Sequence, residues 1–301
     1  MRIAVVGLPF FAQRLVSDLC RDVNGFTFRA YDTYYSKSDK VKFALHLPFT
    51  DLVLSFNGVS DYSGSMELAM KMRKKICFQW QGTDVMLASE RHHNGTLNRK
   101  YIDYGTHIAV APWLSEELKQ INIHAPTLDF KWIDPIDNLP PISELSAYTY
   151  LAEGRENFYG LQEVLQLATR HHEIVFKIVG SKGHGIHCPK NVQFLGWLNA
   201  VQMKDLRIHS PVYLRLTEHD GFSNAVLEAQ SVGNEVIWTY PGLHCHHVSK
   251  ESVFEVFTQV LESLKARSLS RNNESMNYIR THHSRTKIIN DLIIQIQEAI
   301  G

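Results

Sequence analysis

Short apolar runs alternate with amphipathic stretches along the whole chain. In the first half the apolar runs are Arg2–Gly7, Phe26–Ala30, Leu52–Ser55, Lys75–Trp80 and His107–Ala111. Runs this short, bounded by turn formers, predict strands rather than helices. Between them Phe11–Arg21, Ser38–Leu47, Met66–Arg73 and Trp113–Gln120 carry apolar residues at helical spacing. Strand–helix alternation predicts an α/β fold whose parallel sheet is covered on both faces. Ile121–Leu128 reads as a last strand of this half.

The alternation then stops at Asp134-Pro135-Ile136-Asp137-Asn138-Leu139-Pro140-Pro141. Its prolines exclude a helix interior or a central strand, so this segment reads as a linker. Beyond it the strand-like runs are Ala147–Leu151, Glu173–Val179, Val192–Leu195, Pro211–Leu216 and Glu235–Thr239. Helical stretches at Tyr159–Arg170, Ala200–Ile208 and Ser223–Val232 separate them, and two helices, Ser252–Lys265 and Lys287–Ala299, finish the chain. The expected organisation is one lobe over residues 1–140 and a second over 141–275. A C-terminal helix within 276–301 is expected to pack back toward the first lobe.

Composition narrows the class. With 301 residues and 44% hydrophobic content, the chain can fill two cores. Lys plus Arg (31) balance Asp plus Glu (31), so no global basic field exists to hold a nucleic acid. Cys20, Cys77, Cys188 and Cys245 are scattered, which reads as reduced thiols and a cytoplasmic protein. The N-terminal apolar run is too short for a signal peptide, and no stretch approaches the roughly 20 apolar residues of a membrane span. The sequons at Asn94 and Asn273 then carry no meaning. The basic run Lys71–Lys75 reads as a solvated helix end, and also as a surface for peripheral contact with anionic head groups at the inner membrane face.

The segment richest in chemistry is Val212–Ala229. A strand delivers the chain to an acidic, glycine-containing turn, Glu218-His219-Asp220-Gly221-Phe222, and a helix starts at Ser223 or Asn224. The first N–H groups of that helix lack intrahelical partners, and its dipole is positive there, which suits an anion. Asp220 and Glu228 bracket this end, and carboxylates beside a phosphate site suit sugar or ribose hydroxyls. On spacing alone, Asp220 reads first as a helix-start acid and Glu228 as a solvated face residue.

Asp220-Gly221-Phe222-Ser223-Asn224-Ala225-Val226-Leu227-Glu228-Ala229 resembles the E-x7-E signature of GT4-type retaining glycosyltransferases. Leu151–Arg155, Ile178–Gly180, Val192–Gly196 and Gly233–Ile237 resemble four other blocks of that family, in family order, over roughly residues 147–240. In the first half, Gln81–Asp84 and Ile108–Trp113 resemble it more weakly. The resemblance implies a GT-B fold, two Rossmann-like lobes whose parallel sheets face a central cleft. It implies a nucleotide-diphosphate sugar held in the second lobe as co-substrate, with no further cofactor and no metal. The acceptor, a saccharide or a lipid-linked molecule, would sit on the first lobe. Asp220 would contact the donor sugar, Glu228 the ribose and Arg155 the diphosphate, with the backbone of Gly221, Phe222, Ser223 and Asn224 facing both. Two departures stand out. Asp220 is one methylene shorter than the family's Glu, and Tyr159 replaces a lysine that pairs with the diphosphate. Arg215 or Lys182 is the candidate substitute for that cation. A sugar-nucleotide epimerase and a binding protein without catalysis remain as alternatives.

Other constellations carry less. His184, His187 and Cys188 in one loop, and His244, Cys245, His246 and His247 in another, fit no standard zinc spacing. The turn Gly7–Phe11 reads either as an ordinary strand-to-helix turn or as an acceptor-side loop. Asp84 and His107 are further cleft candidates, though not as a general base. Phe10, Phe11, Trp80 and Trp113 read as acceptor-pocket lining or as core.

Overall fold

A strand whose apolar run does not alternate must be buried on both faces, and β1 (Arg2–Gly7) shows it after Arg2: Ile3, Ala4, Val5 and Val6 are all buried. The computed structural model describes residues 1–19, 25–129 and 131–300, without the side chains of residues 18 and 296–300. Cys20 and the end of the helix expected over Phe11–Arg21 lie outside the described residues. By contacts the chain divides into two units, Met1–Phe130 with Ile288–Gly301, and Lys131–Lys287.

In the first unit β1 is followed by α1 (Pro9–Leu19), β2 (Thr27–Ala30), α2 (Lys37–His46), β3 (Leu52–Phe56) and α3 (Gly64–Lys71). Then come β4 (Lys75–Trp80), α4 (Thr83–His93), α5 (Arg99–Ile102), β5 (Thr106–Ala109) and α6 (Pro112–Gln120). The sheet is parallel throughout, in the order β2-β1-β3-β4-β5. Ser36 and Ser63 cap α2 and α3 by accepting from the N–H groups of Asp39 and Met66. The expected strand over Ile121–Leu128 is only a single parallel bridge, Ala109 with Thr127. The Ala109 N–H donates to Pro126, and Pro126 has no N–H with which to extend a ladder. Helix α4 was not expected. It buries only Val85 and Ala88 and ends in Arg91-His92-His93, so its apolar stripe is too thin to read.

The second unit begins in irregular chain through the proline-rich segment. Ile133 already belongs to it, packing with Leu227 and Ile279. Its elements are β6 (Ser146–Tyr150), α7 (Leu161–Arg170), β7 (Val175–Val179), β8 (Val192–Gly196), α8 (Ala200–His209) and β9 (Val212–Arg215). They continue as α9 (Asn224–Ser231), β10 (Glu235–Trp238), β11 (His246–His247), α10 (Val253–Ala266), α11 (Asn273–His282) and α12 (Arg285–Ile300). The sheet order is β11-β10-β9-β6-β7-β8, again all parallel. Three helices, not two, close the chain. The polar α11 buries little besides Ser275 and Ile279, which hid it from a hydrophobic reading. Leu161, Val164 and Leu167 of α7 share one buried cluster with Phe257, Val260, Leu261 and Leu264 of α10. No helix among the described residues is long and apolar enough to cross a membrane.

Candidate functional site

In the second sheet the chain runs outward from β6 to β7 and β8, then returns to lay β9, β10 and β11 on the other side. The reversal lies between β6 and β9. In open parallel sheets the crevice at the carboxyl ends of such a pair is where ligands bind. The two turns that leave β6 and β9 are tied together there. The N–H of Glu218 donates to the Phe158 carbonyl at 2.9 Å. Gly160 has φ of 87°, and a Cβ on it would lie 2.5 Å from the Leu216 carbonyl oxygen. Only glycine permits both that dihedral and that approach. Arg155, Tyr159, Arg215 and Asp220 are thereby brought to one place.

Asp220 is buried, and Arg215 grips it with two parallel hydrogen bonds, Nε to Oδ2 at 2.8 Å and Nη2 to Oδ1 at 2.9 Å. The Trp238 indole N–H donates to Oδ2 at 3.2 Å. Burial pulls the Arg215 guanidinium toward neutrality, but the Asp220 charge overrides it and holds the group more firmly cationic than usual. The Tyr159 ring stands 5.3 Å from the Arg215 guanidinium and 6.0 Å from that of Arg155. The tyrosine therefore lies against two cations, a contact aromatic faces favour. Arg155 is exposed and lies 4.4 Å over the Phe158 ring; among the described residues no carboxylate pairs with it. Lys182 lies exposed beyond β7.

Ser223 stands at the N-cap of α9 in extended conformation, yet its side chain makes no capping hydrogen bond. Gly221 is buried beside it, and Asn224 is the first helical residue. Phe222 stacks on His283 with ring centroids 5.6 Å apart, and its carbonyl accepts from Lys131. Its aromatic face is thus engaged inside the unit. Glu228, in the second turn of α9, accepts from Arg207 Nη1 at 2.7 Å through Oε2. Arg207, in the last turn of α8, is the partner sequence reasoning missed. Basic residues at helix C-termini are so common that its position carries no separate signal.

The remaining candidates separate cleanly. Asp84 is buried and accepts from the N–H groups of Gly58, Gln81, Gly82 and Val85. Burial pushes its carboxyl up while those peptide groups pull it down. His107 accepts from the Trp80 indole at Nδ1 (3.1 Å) and donates from Nε2 to the Ile102 carbonyl (2.8 Å). Both residues hold the fold together. Trp80 is core; Phe10 and Phe11 are exposed; Trp113 is half-buried. Among the described residues no three His, Cys, Asp or Glu side chains come together as a metal site. His246 instead donates to the buried Glu235 at 2.8 Å, alongside Arg267. Desolvation opposes ionisation of Glu235, but these two partners lower its pKa to about 2.

No family model and no curated protein matches the sequence. Solved structures do match the fold. HepE of Anabaena, in complex with UDP-glucose, is 9% identical with a TM-score of 0.68, covering 99% of this chain and 100% of its own. A glycosyltransferase from Rickettsia africae is 12% identical with a TM-score of 0.70, at 99% and 98% coverage. Sucrose-phosphate synthase from Thermosynechococcus elongatus is 10% identical with a TM-score of 0.73, at 99% and 100% coverage. With two α/β units, each built on an all-parallel sheet, the chain has the GT-B fold.

Proposed function

We propose that this chain transfers a glycosyl group from a nucleotide-diphosphate sugar to a hydroxyl acceptor, a saccharide or a lipid-linked molecule, in the cytoplasm. The observation that carries the reading is Arg155. It is a forked, permanent cation without a carboxylate partner among the described residues, on the same β6–β9 crevice as the uncapped start of α9. That combination suits a diphosphate. The bound UDP-glucose of the Anabaena protein makes UDP-glucose the first probe.

In this reading Arg155 and the α9 backbone stabilise the diphosphate leaving group by preorganised charge. Arg215 is neutralised by Asp220, so the exposed Lys182 is the candidate for the second positive charge where the family has a lysine. Asp220, held by Arg215 and Trp238, is assigned to the donor sugar on the GT4 resemblance. Glu228 offers Oε1 to the ribose. Retention at the anomeric carbon and independence from metal follow from the GT4 resemblance and belong to the same proposal.

The test is thermal unfolding against UDP, GDP, ADP, CMP and their sugars, with Arg155→Ala alongside. A ligand at 100 times its Kd stabilises by about 2.7 kcal/mol, a shift of several degrees. One nucleotide should shift the wild type and fail on the variant. No shift from any nucleotide would defeat the reading. Incubation with the donor alone should return unchanged sugar; conversion without acceptor would indicate an epimerase.

A further inference from the structure

Arg2 opens β1 and pairs in register with Thr27, which opens the edge strand β2. Alternate residues of a strand share a face, so Arg29 lies on the side of Thr27, and Arg2 and Arg29 are diagonal neighbours across the two strands. Tyr31 continues that face just beyond β2. The end of α2 reaches it through His46, and a cavity of about 210 Å³ remains, lined among others by Arg2, Thr27, Arg29, Tyr31, His46 and Phe49.

No carboxylate lines this cavity, and neither guanidinium has an ion-pair partner among the described residues. Asp51 turns its Oδ2 to the main-chain N–H of Arg2 at 2.7 Å. Elsewhere in the same unit Arg91 and Arg99 are matched by Asp61 and Asp103. Like charges side by side on a sheet repel, and an anion between Arg2 and Arg29 would remove that repulsion. The neighbouring hydrogen bonds leave donors for it. Arg29 Nη1 lies 3.4 Å from His46 Nε2, and a guanidinium only donates, so Nε2 accepts and the ring proton sits on Nδ1. Nδ1 then donates to the Tyr31 hydroxyl at 2.9 Å, which leaves the phenolic proton to be donated elsewhere. Burial raises the Tyr31 pKa, against the pull of Arg29, and so keeps that proton in place. Thr27 adds an exposed hydroxyl.

Two forked cations and two hydroxyls match a phosphate monoester, which carries about two negative charges at neutral pH and presents three acceptor oxygens. A carboxylate would answer only one of the cations. The cavity is smaller than the roughly 300–1,000 Å³ that holds a drug-sized ligand, so it takes a phosphate with its first attached atoms rather than a nucleotide. We infer that this cavity binds a phosphate monoester, its charge shared between Arg2 and Arg29 and its oxygens accepting from Thr27 and Tyr31. The site lies wholly within the first unit, whereas Arg155 belongs to the second, and it does not depend on glycosyl transfer. The phosphate comes from a soluble ester or from the head group of a lipid. Val41, Leu45 and Phe49, exposed by 59%, 66% and 60%, give the second source an apolar neighbour.

The test titrates the full chain with glycerol 3-phosphate by calorimetry, with glycerol and acetate at matched ionic strength as controls. The phosphate ester should bind in the millimolar range or tighter, and the controls should not. Arg2→Gln and Arg29→Gln, both changes at exposed side chains, should each weaken it about tenfold or more. Arg155→Ala should bind it as the wild type does, which separates this cavity from the crevice of the second unit. No binding, an equal response to acetate, or binding that falls with Arg155→Ala and survives both Gln variants would each overturn the inference. Sedimentation with phosphatidylcholine vesicles, with and without phosphatidic acid, separates the sources. Pelleting that needs phosphatidic acid, is competed by glycerol 3-phosphate and is abolished by Phe49→Ser marks a lipid head group. Calorimetric binding without pelleting marks a soluble ester, and pelleting that both Gln variants retain would again overturn the inference.

Discussion

Glu228 offers the sharpest perturbation, because one of its oxygens is held and the other is not. Oε2 accepts from Arg207 at 2.7 Å, with the two side chains 27% and 14% exposed. No described residue takes Oε1, which is therefore the oxygen left for a ribose hydroxyl. Substituting alanine would confuse two effects. Arg207 Nε already lacks a partner, and deleting the carboxylate would strand the whole guanidinium. Glu228→Gln is cleaner: it keeps the shape and a neutral acceptor and removes only the charge. The pair is partly exposed, so the stability cost should be about 1 kcal/mol or less. A hydrogen bond to a charged group is worth about 1.5–3 kcal/mol, so UDP-glucose affinity should fall about 10- to 150-fold. Isothermal titration calorimetry at one temperature, with unfolding curves on the same samples, measures both. Arg207→Met should weaken binding less, because it frees the carboxylate to move without removing it. A folded Glu228→Gln protein that binds UDP-glucose within about twofold of the wild type would refute the ribose assignment.

Two further outcomes follow from buried ion pairs. Arg215→Met leaves the Asp220 carboxylate buried without its bidentate partner, and urea unfolding should show a loss of about 3–5 kcal/mol. Adding Asp220→Asn should recover most of it, and a second substitution that adds to the loss would refute the pairing. Glu235, about 6% exposed as a side chain, has its pKa lowered from 4.5 to about 2. A depressed carboxylate stabilises the fold above pH 4.5 and loses that contribution as the pH falls toward 2, by about 3 kcal/mol in all. Unfolding free energies between pH 6 and 2.5 should show a slope that Glu235→Gln flattens; an unchanged slope would refute the role of the carboxylate.

Most strands and helices were legible because burial on both faces of a parallel sheet leaves a continuous apolar run, as in Arg2–Gly7 and Lys75–Trp80. The helices that escaped, α4, α5 and α11, bury few residues each, so their periodicity is weak. At the site, the turn after β9 and the start of α9 could be read directly, because an acidic, glycine-containing turn and a small polar residue at a helix start are local features. The partners could not. Arg207 lies 21 residues from Glu228, and nothing in the sequence between them specifies the contact. The Asn57–Ser65 segment carries a local signal of its own: a strand followed by hydroxyl- and glycine-rich chain instead of an immediate helix.

By itself the sequence determined the α/β class, the approximate elements and the acidic turn at Asp220, because each depends on residues within a few positions of one another. Tertiary structure alone decided the strand orders. It also decided which arginine meets which carboxylate and that Asp84 caps a helix from inside. The packing of Asn57 Oδ1 against Gly7 likewise emerges only once β1 and β3 lie side by side. Those outcomes depend on which segments become neighbours in a sheet, and pairing between distant strands leaves no local trace in either partner.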